Sequence, residues 1–471
     1  MFDYNDLSPL YTDFYQITMA QSYFKGQRHE NPACFDYFFR KIPNSGGYVI
    51  FAGLDELLLM IDNLRFKDRD IDYLKKLGFG DDFLDYLRSF HFKGSIYGMR
   101  EGEVVFPFEP ILRVEGTLIE TQLIETLLLN VLNFQSLIAT KASRIRFSAG
   151  NRVLSDFGLR RAQSFGGVSA SRAAIIGGFD NTSNVYSANL YDLQPAGTMA
   201  HSYIESHDDE LEAFRNYAHT YPDSCTLLVD TYNTLRSGVP NAIIVAKELE
   251  AIGKRLNAIR LDSGDLAYLA KKSRKILDQE GLGYVKIIVS NQLDEYVVKS
   301  LLDQKAPIDV FGVGTSLITG SPDGALDGVY KLSDYKNIPR LKISENVQKT
   351  TLPGVKKVYR YLDKDLMFHA DCICLADDPE PERMIHPFEK EKSLDLSEYD
   401  REDLFVCHMD KGDIQNQALH VSELKEWVSE RLKQLPEEHK RFDFPHIYKV
   451  GISNNLSALR GELITKYQIY L

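Results

Sequence analysis

The chain has 471 residues, 44% hydrophobic and 26% charged, with 55 Lys and Arg against 67 Asp and Glu for a formal net charge of -12. That length exceeds one ordinary core and predicts two or three domains of a soluble globular protein. The acidic balance excludes broad nucleic-acid binding, which needs a concentrated excess of Lys and Arg, so any anion site has to be local.

The opening residues, Met1-Phe2-Asp3-Tyr4-Asn5-Asp6, carry neither a basic leader nor an apolar run and do not read as a signal peptide. Five cysteines, Cys34, Cys225, Cys372, Cys374 and Cys407, are an odd number scattered along the chain, which points to reduced thiols in a cytoplasmic protein. Residues 1–117 mix two patterns. Leucines with acidic interruptions predict a helix over 54–64, while 94–99 and 103–106 alternate like strands, giving a small α+β domain. The apolar stretch 118–138 is interrupted by Glu120, Gln122, Glu125, Asn130, Asn133 and Gln135, so it predicts a long buried or interface helix and no membrane span.

Across 118–335 strands alternate with helices. A buried strand over 225–229 ends at Asp230 and precedes an amphipathic helix over 241–255. A strand over 256–261 ends at Asp262 before a helix over 266–279, and one over 285–289 ends at Ser290-Asn291 before a helix over 293–304. A last strand over 308–311 ends at Gly312. Such alternation implies right-handed crossovers and a parallel sheet, either open and doubly wound or closed as a barrel. No Gly-rich dinucleotide fingerprint follows a strand with the required downstream acid, which favours the barrel. The predicted fold class is therefore α/β, an irregular TIM-like barrel over 118–335 with the N-terminal α+β domain completed by C-terminal segments. Residues 336–471 are expected to pack on both, with a solvated charged connection over 389–403, a helix over 422–435 and short terminal strands. Cys372-Ile373-Cys374 reads as strand alternation, since no second cysteine pair follows.

Each predicted strand end carries polar residues. Arg260 and Asp262 share a strand face, and a tight turn then brings Asp265; two such acids can hold sugar hydroxyls, bind Mg²⁺ through water or stabilise a positively charged sugar carbon. Either Asp can instead cap the next helix, Asp265 more readily than Asp262. Asp230 ends the preceding strand and faces the same mouth. Gly312-Val313-Gly314-Thr315-Ser316 offers backbone N–H groups and two hydroxyls, suited to a phosphate near the late strands of a barrel. His201, in Gly197-Thr198-Met199-Ala200-His201-Ser202, is either a structural imidazole or a proton-transfer group or phosphoryl acceptor, and residue chemistry leaves these open. Phe157 and Arg160 leave a strand together. They can sandwich a planar ring and pair with its carboxylate, or serve as a core ring and a surface ion-pair partner.

These clusters, together with Leu10-Tyr11-Thr12-Asp13-Phe14-Tyr15-Gln16, Phe38-Phe39-Arg40-Lys41, Asp156-Phe157-Gly158-Leu159-Arg160-Arg161, Gly177-Gly178-Phe179-Asp180-Asn181-Thr182-Ser183-Asn184 and Asp230-Thr231-Tyr232-Asn233-Thr234, resemble the nicotinate phosphoribosyltransferase family over most of the chain. The resemblance implies transfer of phosphoribosyl from phosphoribosyl pyrophosphate to nicotinate, giving nicotinate mononucleotide and pyrophosphate in NAD biosynthesis. It also implies ATP as co-substrate, Mg²⁺, and a homodimer with active sites at its interface. By motif, Phe157 and a partner subunit's copy of Tyr15 would stack on the pyridine, with Arg160, Thr182 and Ser183 near its carboxylate. Asp230, Arg260 and Asp262 would hold ribose and pyrophosphate, Gly314 with Thr315 the 5′-phosphate, and Asp265 is a further substrate-binding candidate. His201 matches the histidine phosphorylated from ATP, and no residue is assigned as a direct metal ligand. Nicotinamide phosphoribosyltransferases resemble the chain too, but there an Asp near the place of Ser183 accepts from the amide; a misalignment that put Asp180 there would weaken that distinction. A quinolinate enzyme would need more cations than can be placed, and a non-catalytic nucleotide binder would not need the full polar set.

Overall fold

Residues 7–344, 349–389 and 391–467 are described in a computed structural model, so the leader reading of residues 1–6 falls outside the described part. Contacts divide the chain into two units, one of residues 1–137 with 325–471 and one of 138–324.

The first unit is organised by a seven-stranded antiparallel sheet in the order Ile338–Pro339, Gly328–Tyr335, Pro32–Phe39, Leu112–Thr117, Ser95–Gly98, Val406–Asp410, Asp413–Ile414. Pro32–Phe39 is central and buried on both faces, as its run of aromatic and small residues requires. The helix Leu54–Asp62 forms where leucine spacing predicts it and buries Leu54, Leu57, Leu58 and Ile61. The helix expected over 118–138 is two helices, Leu118–Leu123 and Glu125–Ala149. Four of its polar interruptions, Glu120, Gln122, Glu125 and Gln135, are buried while Asn130 is exposed: Glu120 completes a capping box with Thr117, and Gln122 and Glu125 exchange buried hydrogen bonds of 2.7 to 2.9 Å with Gln16. Among the described residues no helix is long and apolar enough to cross a membrane.

A second, six-stranded sheet in this unit runs Ser393–Asp395, Arg383–Ile385, Val450–Ser453, Phe368–Leu375, Lys356–Leu362, Asp400–Asp403. Its register sets Arg360 opposite Asp371, and the fully buried guanidinium makes two hydrogen bonds of 2.9 and 2.7 Å to that carboxylate and an ion pair to Glu103. Cys372 and Cys374 lie on the Phe368–Leu375 strand, buried in a cluster with Tyr361, Met384 and Leu396, where burial pushes the Cys374 thiol up to about 12. The helix Val421–Gln434 matches its prediction, but among the described residues only one strand, Val450–Ser453, follows it. The helix Asn454–Tyr467 was not foreseen, because it buries only Leu456, Arg460 and Leu463 and so carries little apolar periodicity.

The second unit is built on six strands, all parallel, in the order Asn181–Thr182, Val153–Asp156, Val310–Val313, Lys286–Ser290, Ala258–Leu261, Thr226–Leu228. The hydrogen-bonded ladder is open, extended past Thr182 only by an isolated parallel bridge to Pro195. The helices Val239–Ala251, Leu266–Gln279 and Glu295–Asp303 connect successive strands. The last strand differs from its prediction by running through Gly312 to Val313. Gly312 is thus a strand residue, and the turn begins at Gly314.

Candidate functional site

Parallel strands end together, so the polar clusters of the second unit leave its sheet at one edge, where open and closed parallel sheets alike place their ligands. At that edge Phe157, Leu159, Arg160, Ser183, Thr198, Met199, His201, Arg260 and Asp262 line a cavity of about 330 Å³, a size suited to a small ligand.

Arg260 is its organising cation. Strand alternation puts Arg260 and Asp262 on one face, and the guanidinium Nη2 donates to Asp262 Oδ1 at 3.0 Å. Nε donates to Ser290 Oγ at 2.9 Å, Nη1 donates to Thr198 Oγ1 at 3.2 Å, and the group lies 5.4 Å from the Phe157 ring centroid. The sequence paired that ring with Arg160; the structure pairs it with Arg260. Arg160 is exposed on the cavity wall, with no hydrogen bond or ion pair of its own among the described residues.

His201 opens a short helix, Nδ1 lying 3.1 Å from Thr231 Oγ1 and Nε2 3.8 Å from Asp262 Oδ2. Asp230 does not line the cavity but braces it: Oδ2 accepts from the Asp262 N–H at 2.8 Å and from Ser263 Oγ at 2.6 Å, while Oδ1 is buried without a partner among the described residues.

The Phe157 and Ser183 loops are tied by Asp156, a carboxylate the sequence reading passed over. Fully buried, it accepts from Gly158 N–H at 2.8 Å and from the Ser171 and Thr182 hydroxyls at 2.7 Å each, while burial raises its pKa. Thr182 is therefore turned inward, its hydroxyl spent on Asp156, and Ser183 faces the cavity instead. Asp180 is held away from it by Arg146 Nη2 at 2.6 Å and the Leu154 N–H at 2.8 Å.

Four other expected residues lie outside the cavity lining. Gly314 and Thr315 follow the Val310–Val313 strand, whose Val313 carbonyl accepts from the Phe157 N–H at 2.8 Å. Asp265 caps the helix Leu266–Gln279 by accepting from the Tyr268 N–H at 3.0 Å. Asp265→Ala is expected to lower stability by about 1 kcal/mol while Asp265→Ser retains the cap, read by urea unfolding; a kinetic loss shared by both variants would mark a ligand role as well. Tyr15 belongs to the first unit, half exposed on the helix Phe14–Lys25, and burial with nearby Glu125 and Asp13 raises its pKa. Thr231 and Ser290 were missed as site residues because each acts through a partner from another segment. Ser290 was visible only as a hydroxyl at a strand end.

Family models described as the nicotinate phosphoribosyltransferase N-terminal domain, the nicotinate phosphoribosyltransferase family and the nicotinate phosphoribosyltransferase C-terminal domain match residues 10–133, 153–371 and 355–460. Nicotinate phosphoribosyltransferase of Bacillus subtilis is 45% identical over 464 residues, covering 96% of this chain and 94% of the relative. That of Caenorhabditis elegans is 38% identical over 519, covering 96% and 92%. Among solved structures, human nicotinic acid phosphoribosyltransferase superposes with a TM-score of 0.87 at 31% identity, over 96% of this chain and 99% of that one. Nicotinate-nucleotide pyrophosphorylase from Pyrococcus furiosus gives 0.71 at 25% identity, over 90% and 95%. Likeness that extends through every segment bearing the cavity and nearly the whole of both chains admits one conclusion: the chain belongs to the nicotinate phosphoribosyltransferase family.

Proposed function

We infer that this enzyme joins nicotinate to phosphoribosyl pyrophosphate, giving nicotinate mononucleotide and pyrophosphate in NAD biosynthesis. The observation that carries the choice of acid over amide is the cavity wall, where a hydroxyl, Ser183, and an unpaired cation, Arg160, stand while the nearby carboxylate of Asp180 is bound elsewhere. A carboxylate facing the ring substituent would repel nicotinate; a hydroxyl and a guanidinium attract it.

In this reading the pyridine lies against Phe157 with its carboxylate toward Arg160 and Ser183. Asp262 and Asp230 serve the ribose, Arg260 the pyrophosphate, and Gly314 with Thr315 the 5′-phosphate. The ring nitrogen's lone pair forms the bond to C1, and the C1–oxygen bond breaks with its electrons leaving on pyrophosphate. Positive charge that builds on the sugar is stabilised by Asp262, and negative charge on the leaving group by Arg260. Mg²⁺ fits this donor set. Among the described residues no three His, Cys, Asp or Glu converge as a metal cage, but Mg²⁺ is commonly held by one or two carboxylates plus substrate phosphates, and Asp230 Oδ1 lacks a partner. Asp230 and Asp262 would hold it, directly or through water, and bound there it would neutralise pyrophosphate charge.

His201 is the proposed phosphoryl acceptor from ATP. Thr231 engages Nδ1, so Nε2 is the nitrogen left to attack the γ-phosphorus, expelling ADP, and water later hydrolyses the phosphohistidine. A homodimer supplying Tyr15 to the partner's ring site, and a cytoplasmic location, complete the proposal; the five free cysteines accord with a reducing compartment. The parallel sheet is read as an irregular barrel. Across the gap in its ladder, His201 meets Thr231, which follows the edge strand, and Arg260, one strand further in, reaches Thr198.

The test is product formation from phosphoribosyl pyrophosphate and Mg²⁺ with nicotinate or nicotinamide, each with and without ATP. Nicotinate mononucleotide is expected selectively and faster with ATP, and His201→Ala is expected to keep the ATP-independent rate while losing stimulation. Turnover of nicotinamide in preference would overturn the substrate assignment, and an ATP response unchanged in His201→Ala would overturn the phosphohistidine.

A further inference from the structure

Parallel pairing sets Val289 beside Leu261 and Ser290 beside Gly312, so the next step along the ladder brings Ser290 alongside Asp262. Its hydroxyl is buried at 3% exposure and closes a three-way contact: it accepts from Arg260 Nε at 2.9 Å and donates to Asp262 Oδ1, which also accepts from Arg260 Nη2 at 3.0 Å. A hydroxyl has one proton, so this arrangement has one direction. Asp262 Oδ1 is occupied by two donors and Oδ2 is left facing His201, while the guanidinium plane is fixed toward Thr198 and the Phe157 ring.

We propose that Ser290 is a positioning residue for phosphoribosyl transfer, holding Arg260 and Asp262 in the orientation that receives phosphoribosyl pyrophosphate. The proposal rests on the roles given to Arg260 and Asp262 above. Among the described residues Ser290 makes no hydrogen bond to Arg160 or Ser183, so its effect falls mainly on phosphoribosyl pyrophosphate. Removing Oγ leaves Arg260 Nε without its acceptor and takes one of the two donors from Asp262 Oδ1.

The test compares Ser290→Ala and Ser290→Thr with the native enzyme, varying the two substrates separately and recording melting temperature. Ser290→Ala is expected to lower kcat/KM for phosphoribosyl pyrophosphate about tenfold, with the KM for nicotinate and the melting temperature nearly unchanged. Ser290→Thr, which keeps the hydroxyl, is expected to recover most of the loss. Native constants in Ser290→Ala, or an equal loss for both substrates with a lowered melting temperature, would overturn it. Calorimetric titration of phosphoribosyl pyrophosphate into the same proteins decides the matter without turnover: if the native protein binds it but makes no product, the functional reading fails alone, and the affinity difference on removing Oγ still judges Ser290.

Discussion

Replacing Arg260 by Ala is expected to lower kcat/KM for phosphoribosyl pyrophosphate by about a thousandfold, about 4 kcal/mol of transition-state stabilisation. The guanidinium is 13% exposed and already engaged by Ser290, Thr198 and Asp262, so it meets the leaving group preorganised and partly desolvated, where a charge acts most strongly. Its loss also leaves Asp262 without its cation. Arg260→Lys keeps the charge but cannot donate to Ser290 and Asp262 at once, so it is expected to recover only about tenfold of the loss. Steady-state kinetics with both variants checks this. Near-native kcat/KM in Arg260→Ala would remove the residue from the reaction, and full recovery in Arg260→Lys would reduce its part to that of a point charge.

What the sequence makes legible follows from where its information is local. Strand and helix order in the second unit is readable because each apolar run stops abruptly at a polar cluster, and parallel strands then carry Arg260, Asp262, Phe157 and Ser183 to one edge without further instruction. What depends on register is not readable. Ser290 meets Asp262, and Asp156 gathers Gly158, Ser171 and Thr182, only after distant segments pair. Thr182 and Ser183 are adjacent in a motif and point opposite ways, one inward to a buried carboxylate and one to the cavity, which spacing alone does not settle. The same holds for Phe157. Its neighbour in sequence is Arg160, but its ring turns back over Gly312 toward Arg260. The break before Glu125 and the helix Asn454–Tyr467 were hidden for a different reason: polar residues spent on buried hydrogen bonds look solvated, and a helix burying three side chains shows little period.

Gly312→Ala is expected to raise the KM for nicotinate about a hundredfold and to lower stability by about 1–3 kcal/mol, the cost of overpacking a tight contact. Ser290, Gly312 and Ser155 stand in register across three strands, and at the middle position the missing side chain is where the Phe157 ring lies. A Cβ there would come within 2.5 Å of two ring carbons, so the ring has to leave. It can move only by giving up its place beside Arg260 or by entering the space proposed for the pyridine. Stability and activity should separate when the ring is shortened. Phe157→Leu in the Gly312→Ala background is expected to restore most of the unfolding free energy, since the smaller side chain relieves the contact, yet to leave nicotinate binding weak, since no ring remains to stack. Equilibrium unfolding and nicotinate KM across the four proteins of this cycle give both quantities. Recovery of activity along with stability would mean that Gly312 serves the fold alone; recovery of stability without activity would make this strand glycine the reason an aromatic ring can form the floor of the site.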